Sequence, residues 1–268
     1  MSLQTAPAIG VFDSGVGGLS IYASIKKRLP EARFAYCSDN AHFPYGGREE
    51  ADVVKCVVTA CERFVAAAGL DILVLACNTA STAALPTLRA TFKIPVVGVV
   101  PAIKPAASLT KTKVIALLAT PGTVKRSYTD DLVSQHAGGT HVVRVGSSLL
   151  VEMAEAKLRG TAPDKAVLKR EIEPIFTAKA PAKVDVVVLG CTHFPLLMPE
   201  LAEVAAWPVT WLDSGDAVAA RVSVVTHELI PPPPKLLSPT AYFTRLDASA
   251  EGLTAALKEY GFSSLAAV

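Results

Sequence analysis

The hydrophobic positions of this chain fall into short apolar runs that alternate with longer stretches of helical periodicity. The apolar runs stand at residues 8–12, 33–37, 71–76, 94–99, 113–118, 141–145, 185–189, 209–212 and 241–245. Helical periodicity is found at about 19–29, 49–68, 79–92, 149–158, 163–179 and 251–260. Uninterrupted apolar runs are typical of strands buried on both faces, as in parallel sheets. The alternation therefore predicts an α/β fold built on mainly parallel sheets flanked by helices.

Two successive stretches of the chain repeat the same order of features. Each opens with a strand, a polar turn and a helix, and each later presents a strand that runs into a cysteine, Cys77 in the first stretch and Cys191 in the second. The two cysteines are separated by about the length of one small domain. We interpret the repeat as an internal duplication that gives two similar α/β lobes. If the lobes face each other, both cysteines point into one cleft.

The expected lobes are not contiguous along the chain. The first comprises residues 1–98 together with 208–268, and the second comprises residues 99–207. In the tail, a strand at 209–212 and a helix to about 229 precede Pro231-Pro232-Pro233-Pro234, which predicts a stiff extended spacer. The last strand and helix are expected to return to the first lobe.

Composition narrows the class of protein. Hydrophobic residues make up 51% of the 268 residues, enough for a sizeable core, and a net charge of +2 gives no reason to expect nucleic acid or a membrane as a partner. The five cysteines show no C-x-x-C spacing, so a disulfide framework or a metal site is not expected. Signal-peptide and membrane-span patterns are not recognisable, and we expect a cytoplasmic protein.

The first strand leads into a glycine-rich turn that begins with Asp13 and Ser14. A dinucleotide-binding fingerprint, G-x-G-x-x-G, would need glycine where Ser20 stands, so the turn does not match it. Helix capping would account for Asp13 or Ser14 taken singly. Their position at the carboxyl end of a strand, where α/β folds bind ligands, favours a role in a site.

The two cysteines suggest acid/base chemistry at carbon. Hydroxyl residues follow each of them, Asp13 and His193 could exchange protons with the two thiols, and a helix N-terminus stabilises a nearby thiolate. One thiol beside a histidine would suit a nucleophile. Two thiols in matching settings suit removal of a proton from one face of a carbon and delivery to the opposite face, which inverts a stereocentre without a cofactor. The alternatives are inert buried cysteines and a histidine with purely structural hydrogen bonds.

Five motifs in this order resemble the bacterial glutamate racemases of the aspartate/glutamate racemase superfamily. They cover most of residues 8–215 and read GVFDSGVGG at 10–18, DNAHFPYG at 39–46, ACNTAS at 76–81, TPGT at 120–123 and LGCTHFP at 189–195. The resemblance implies two lobes related by pseudo-twofold symmetry with the active site between them, and cofactor-independent interconversion of L- and D-glutamate. It also implies supply of D-glutamate to peptidoglycan synthesis and a homodimeric assembly.

The resemblance also assigns expected roles. Cys77 would act on D-glutamate with the help of Asp13, and Cys191 would act on L-glutamate with the help of His193. The expected substrate contacts are Ser14, Pro44, Tyr45, Gly46, Asn78, Thr79, Thr120, Thr123 and Thr192.

The chain departs from the family pattern before the family's active-site glutamate. The usual Ala-Cys-Pro stretch appears here as Gly146-Ser147-Ser148. The register places the family glutamate on Glu155, with Glu152 where a proline is usual. Glu155 is therefore a candidate catalytic residue, and an ordinary solvated helix carboxylate is the alternative.

Other functions remain open from the sequence. A sister racemase could act on aspartate, although the DNAHFPYG and CTHFP motifs argue against it. A non-catalytic amino-acid-binding protein on the same scaffold would have no need of two thiols. Some glutamate racemases inhibit DNA gyrase, but no feature of this sequence supports such an interaction.

Overall fold

The fold was analysed in a computed structural model, which describes residues 6–229 and 239–268. The strands of these residues are β1 (Ala8–Asp13), β2 (Arg33–Ser38), β3 (Ile72–Leu75), β4 (Val96–Gly98), β5 (Val114–Ala119), β6 (His141–Gly146), β7 (Val186–Leu189), β8 (Thr210–Leu212), β9 (Thr240–Phe243) and β10 (Ser264–Ala267). The helices are α1 (Leu19–Arg28), α2 (Glu50–Ala68), α3 (Asn78–Thr91), α4 (Ile103–Leu109), α5 (Pro121–Lys125), α6 (Ser127–His136), α7 (Leu149–Leu158), α8 (Lys165–Thr177), α9 (Met198–Val204), α10 (Gly215–Glu228), α11 (Ala248–Glu251) and α12 (Thr254–Tyr260). Two 3₁₀ helices lie at Tyr45–Gly47 and Phe194–Leu197.

The strands form two sheets, and every strand pair in them is parallel. The first sheet has the order β10-β9-β2-β1-β3-β4 and the second has the order β6-β5-β7-β8. The predicted α/β class with parallel sheets is therefore confirmed. The strand order β2-β1-β3-β4 is repeated as β6-β5-β7-β8, as expected of the duplication inferred from the sequence.

The described chain divides into two compact units. One contains the described residues up to Val99 together with those from Gly215 onward, and the other is Val100–Ser214. The sequence predicted that the chain returns to the first lobe at residue 208, whereas in the structure it returns at Gly215. The reason is that β8 pairs in parallel with β7 and so extends the second sheet.

The C-terminal segment completes the first sheet. β9 pairs with β2, and β10 pairs with β9. The Tyr22 hydroxyl on α1 donates to the Tyr260 carbonyl at 2.8 Å, and the Tyr22 and Phe262 rings lie 4.9 Å apart. Helix α10 packs along α1. The predicted Pro231–Pro234 spacer lies outside the described residues.

Burial explains the uninterrupted apolar runs. Every residue of β1, β3, β5 and β7 is buried, because these strands lie inside their sheets with helices packed on them. The edge strand β6 instead alternates buried and exposed positions. No helix in the described ranges is long and apolar enough to cross a membrane.

Three local predictions differ from the structure. No helix is predicted between the apolar runs at 94–99 and 113–118, but the short helix α4 lies there. The single helix expected at 251–260 is interrupted at Gly252 and Leu253, which separate α11 from α12. The helix N-terminus expected beside Cys191 is a 3₁₀ turn instead, and α9 begins only at Met198.

Asp185 joins the end of α4 to the second sheet. Its Oδ1 accepts a hydrogen bond from the Thr110 hydroxyl at 2.6 Å, and its Oδ2 accepts from the amides of Lys111 at 2.7 Å and Thr112 at 3.1 Å. Desolvation opposes ionisation of Asp185, but these hydrogen bonds outweigh it and lower the pKa of the carboxyl below its ordinary value.

We expect Asp185→Asn to destabilise the protein by about 1–3 kcal/mol at neutral pH, since hydrogen bonds to a charged acceptor are lost. A lowered native pKa makes this contribution complete above the ordinary carboxyl pKa of 3.8 and reduces it as the pH falls through the native value. Urea unfolding at pH 7 and at several acidic pH values measures it. Asp131→Asn, on an exposed residue of α6, is the control. An Asp185→Asn effect that is absent, or that does not shrink with acid, contradicts this account.

Candidate active site

In the first unit, polar side chains gather where β1 and β3 end. Asp13 is the last residue of β1, and Cys77 follows the last residue of β3 by two positions. β1 and β3 are adjacent and parallel, so their carboxyl ends lie at the same edge of the sheet. We call Asp13, Ser14, Gly18, Cys77, Asn78 and Thr79 the Cys77 cluster.

The Asp13 carboxylate is fully buried and is held by backbone amides. Oδ1 accepts from the Ser14 amide at 2.7 Å and Oδ2 accepts from the Gly18 amide at 2.6 Å. A Cβ at Gly18 would lie 2.9 Å from the Asp13 Cβ and 3.1 Å from the Ala76 Cβ, so only glycine permits this approach. Capping is thus part of what Asp13 does, and it fixes the carboxylate in one orientation.

Ser14 bridges Asp13 and Cys77. The Ser14 Oγ lies 3.8 Å from the Cys77 Sγ and 3.5 Å from the Asp13 Oδ1. Cys77 itself is the N-cap residue of α3, with extended backbone, and 7% of its surface is exposed. The thiol therefore lies at the positive end of a helix dipole, where negative charge on sulfur is stabilised.

Asn78 and Thr79 form the first turn of α3 and are both buried. The Asn78 Oδ1 is a buried acceptor with no hydrogen-bond partner among the residues that the structure describes. Leaving a buried carbonyl oxygen unpaired costs free energy, so such an atom in a native fold calls for an explanation. A ligand that brings an N–H donor next to Cys77 would supply the missing partner.

The loop after β2 is organised by Asp39, which is fully buried. Its carboxylate accepts from the Thr244 hydroxyl at 2.6 Å, from the Tyr45 hydroxyl in a short hydrogen bond, and lies 2.9 Å from the His42 Nδ1. Burial and the Asp39 charge raise the pKa of Tyr45 far above its ordinary value, so the phenol remains a donor. The sequence analysis did not assign Asp39 a role in the site, although it stands two residues beyond the predicted strand at 33–37 and directly follows β2.

The three loop positions expected to contact substrate have different environments. The Tyr45 side chain is buried against Asp39, Pro44 is exposed, and Gly46 is partly buried. Because the Tyr45 hydroxyl is committed to Asp39, its contribution to a site is to hold the loop backbone. The loop thus offers main-chain groups at Pro44 and Gly46.

One group of metal-ligating side chains stands close together in the described ranges. Ligand atoms of Asp39, His42 and Cys56 lie within 4.8 Å of one another. Zinc binds its ligand atoms at about 2.0–2.3 Å, so the three would have to move closer together. Both oxygens of Asp39 already accept hydrogen bonds. Asp39 and His42 fit an anchor for the loop better than part of a metal centre.

In the second unit, Thr120 and Thr123 follow the buried strand β5. Thr120 is the N-cap residue of α5, and its Oγ1 accepts from the Thr123 amide at 3.3 Å and lies 3.0 Å from the Thr123 Oγ1. Thr129, which the sequence did not single out, donates from its buried hydroxyl to the Thr123 carbonyl at 2.6 Å. The hydroxyls of Thr120 and Thr123 lie together here, and hydroxyl donors suit a carboxylate ligand.

Cys191 lies next to a buried histidine, which in turn contacts a buried carboxylate. We call Cys191, His193, Glu155 and Arg159 the Cys191 cluster. The Cys191 Sγ lies 3.7 Å from the His193 Nδ1, and the His193 Nε2 lies 3.0 Å from the Glu155 Oε1. An ionised carboxylate only accepts, so with Glu155 charged we assign the ring proton to Nε2, which leaves the lone pair of Nδ1 facing the thiol. His193 is therefore oriented as a base for Cys191.

Of the two glutamates on α7, Glu152 and Glu155, only Glu155 belongs to this cluster. Glu155 is 7% exposed and bonded to His193, whereas Glu152 is exposed. Glu155 is thus not a solvated helix carboxylate. Ser147, within the stretch that departs from the family pattern, accepts from the Leu150 amide at 3.1 Å and so caps α7.

The environments of the Cys77 and Cys191 thiols differ, although β3 and β7 occupy equivalent positions in their sheets. Cys77 caps the fourteen-residue helix α3, whereas Cys191 precedes a 3₁₀ turn and is served by His193. The adjacent Thr192 is buried. A Cβ at Gly190 would lie 2.7 Å from the Leu117 Cδ1 and 3.1 Å from the Ala119 Cβ, so glycine lets the chain pass close to β5 before Cys191.

The chain is similar to proteins of a known family. The family model described as Asp/Glu/Hydantoin racemase matches residues 9–222. Glutamate racemase of Shewanella sp. strain MR-4 is 49% identical over 261 residues, covering 95% of this chain and 94% of the relative. Glutamate racemase of Escherichia coli strain K12 is 45% identical over 262 residues, covering 98% and 91% respectively.

Solved structures give the same relationship. The crystal structure of E. coli glutamate racemase in complex with L-glutamate and the activator UDP-MurNAc-Ala has a TM-score of 0.94 at 44% identity and 98% coverage of both chains. An aspartate racemase homologue from Pyrococcus horikoshii has a TM-score of 0.52 at 17% identity, covering 82% of this chain and 99% of the homologue, and shares the fold alone. The chain is therefore an isomerase that belongs to the Asp/Glu/Hydantoin racemase family and, within it, to the glutamate racemases.

Proposed function

We propose that this chain interconverts L- and D-glutamate by proton transfer between the α-carbon and two thiols, Cys77 and Cys191, acting on opposite faces. The observation that carries the proposal is the equivalent position of the two cysteines. Each stands two residues beyond a buried central strand, and each has its own acid/base partner. Binding of an amino acid alone would require neither thiol.

The substrate would be held by groups that accept hydrogen bonds from its ammonium group and by groups that donate hydrogen bonds to its carboxylates. The unpaired Asn78 Oδ1 suits the α-ammonium group. Hydroxyls and helix N-termini suit the two carboxylates. We assign substrate contacts to Ser14, Asn78, Thr79, Thr120, Thr123 and Thr192, with Pro44, Tyr45 and Gly46 contributing through the loop.

In the L to D direction, the Cys191 thiolate takes the α-proton and becomes a thiol. The electron pair left on the α-carbon is delocalised into the substrate carboxylate. The Cys77 thiol then delivers its proton to the opposite face and becomes a thiolate. The reverse direction exchanges the roles, so Cys77 removes the proton of D-glutamate. No other atom is gained or lost.

The partners of each thiol set its charge state. His193 accepts the Cys191 proton at Nδ1, and Glu155 stabilises the resulting imidazolium at Nε2. Asp13 acts on Cys77 through Ser14, and the α3 dipole stabilises the thiolate. The α-proton is weakly acidic, so the buried donors that face the developing charge supply most of the barrier reduction.

The wider biology is part of the same proposal. The D-glutamate formed would supply peptidoglycan synthesis, and the enzyme would act in the cytoplasm as a homodimer. Glutamate is preferred over aspartate as substrate because the relatives at 45–49% identity are glutamate racemases. Initial rates on both amino acids test this preference.

We expect Cys77→Ser and Cys191→Ser each to lower the rate of racemisation by about 10²–10⁴-fold, since each removes an acid/base group from one face. Circular dichroism of L- and D-glutamate solutions, without added cofactor, measures both directions. The thiols act in series, so each substitution must affect both directions. Comparable activity in either variant contradicts the two-base assignment.

Cys56→Ser is the matched control for the two cysteine variants. Cys56 is a free, partly buried cysteine on α2 in the first unit. It should retain the wild-type rate. Thermal unfolding of all three variants distinguishes loss of a proton-transfer group from loss of the fold.

A groove in the first unit supports a second proposal, that an anionic cell-wall precursor regulates the enzyme. The groove has a volume of about 540 Å³ and lies at the edge strand β4. It is lined by the cations Arg89, Lys93 and Arg221 and by apolar side chains that include Phe92 and Ile94. A nucleotide sugar such as the UDP-MurNAc-Ala of the E. coli complex carries a diphosphate for the cations and apolar surface for the rest.

We expect UDP-MurNAc-Ala to raise the racemisation rate of the wild-type protein, and Arg221→Gln to reduce that activation because one phosphate-binding cation is lost. The ratio of rates with and without the compound is the measurement. Arg63→Gln, on an exposed residue of α2, is the control. A wild-type ratio of one, or an Arg221→Gln ratio equal to that of the wild type, contradicts the regulatory proposal.

A further inference from the structure

Glu155 has both carboxylate oxygens engaged, and the two partners differ in kind. Oε1 faces the His193 Nε2 at 3.0 Å, and Oε2 accepts from the Arg159 Nη1 at 2.8 Å. The side chain of Glu155 is 9% exposed, whereas that of Arg159 is 29% exposed. Arg159 therefore connects the buried cluster to the surface of the second unit.

The Arg159 guanidinium is itself fixed. Its Nη1 also donates to the Glu155 carbonyl at 2.9 Å, an oxygen in the last turn of α7. Carbonyls in the last turn of a helix have no partner within the helix. The Arg159 guanidinium therefore caps α7 and binds the Glu155 carboxylate at the same time. A planar guanidinium held at two points keeps Glu155 in one orientation.

The charge of Arg159 bears on the tautomer of His193. A buried carboxylate without a cation tends to take up a proton, because desolvation disfavours its charged form. A protonated Glu155 could donate to His193 Nε2, and the ring proton would then move to Nδ1. In that form Nδ1 could no longer accept the proton of the Cys191 thiol.

We propose that Arg159 is a positioning residue for proton transfer at Cys191, acting through Glu155 and His193. The proposal rests on the proposed racemase function. Arg159 touches neither thiol nor substrate in this scheme, and it lies outside the five motifs shared with the family. In the Cys77 cluster the corresponding orientation of Asp13 comes from the amides of Ser14 and Gly18.

The role of Arg159 can be measured because a different thiol removes the α-hydrogen in each direction of the reaction. The enantiomers are equally stable, so any variant must lower kcat/KM by the same factor in both directions. Arg159→Gln removes a charge-assisted hydrogen bond, and we expect that factor to be about tenfold. Substrate isotope effects distinguish which thiol has slowed.

The test is the primary isotope effect on kcat/KM with α-deuterated L-glutamate and α-deuterated D-glutamate. If transfer at Cys191 becomes slower, removal of the L-enantiomer's hydrogen limits the rate more and its isotope effect rises. Removal of the D-enantiomer's hydrogen by Cys77 then limits the rate less, and its isotope effect falls. Opposite changes in Arg159→Gln support the proposal.

Arg144→Gln is the matched control. Arg144 belongs to the same unit, is 31% exposed, and its Nη1 lies 2.5 Å from Asp130. It should leave both isotope effects at their wild-type values. Arg159→Lys keeps the charge and should restore part of the rate, and it provides the test if Arg159→Gln does not fold.

A double variant tests whether Arg159 acts through Glu155. Glu155→Gln with Arg159→Gln should be no slower than Glu155→Gln alone, because the arginine has lost its target. Isotope effects that stay unchanged or move together, a control that behaves like Arg159→Gln, or multiplicative losses in the double variant would overturn the proposal. A wild-type protein that racemises no glutamate overturns the proposed function instead.

Discussion

The parallel pairing of β1 with β3 and of β5 with β7 is the constraint on which the candidate site depends. Parallel neighbours end at the same edge of a sheet, so the residues that follow them are brought together without being close in the sequence. Because all four strands are buried, their ends are held by the core. Cys77 and Cys191 each stand two residues beyond such an end, and their partners come from neighbouring elements of the same unit.

In the proposed mechanism, the two clusters support proton transfer by different groups. Cys77 lies at the N-terminus of a long helix and reaches a carboxylate through Ser14. Cys191 has no α-helix of its own and relies on His193, Glu155 and Arg159 in line. Duplication accounts for the shared strand order, whereas the supporting side chains have diverged. A reaction whose substrate and product are mirror images does not require identical catalytic environments.

Much of the fold followed from the hydrophobic pattern, because buried parallel strands have a simple signature. Helix α4 did not, since it is short and contains a proline. Strand β10 is not fully buried, and two of its four residues are alanine, which has a low strand propensity. The unit boundary depended on β8 pairing with β7, a tertiary choice that a three-residue strand does not encode.

The residues of the candidate site that belong to sequence motifs could be predicted. Those whose role depends on tertiary contacts were harder to predict. Both cysteines, Asp13 and His193 stand at strand ends. Asp39 and Arg159 were not singled out, because a polar residue in a loop and an arginine at a helix end are common in any sequence. Only their partners, Tyr45 and Thr244 for Asp39 and Glu155 for Arg159, give them a role.

The central claim is that two different thiols exchange protons on opposite faces of one carbon. Racemisation of L-glutamate in D₂O, followed by mass spectrometry of each enantiomer early in the reaction, tests it most directly. The account predicts that D-glutamate forms with solvent deuterium at the α-carbon while the remaining L-glutamate keeps its hydrogen. D-glutamate that retains the substrate hydrogen, or L-glutamate that gains deuterium as fast as D-glutamate forms, would contradict it.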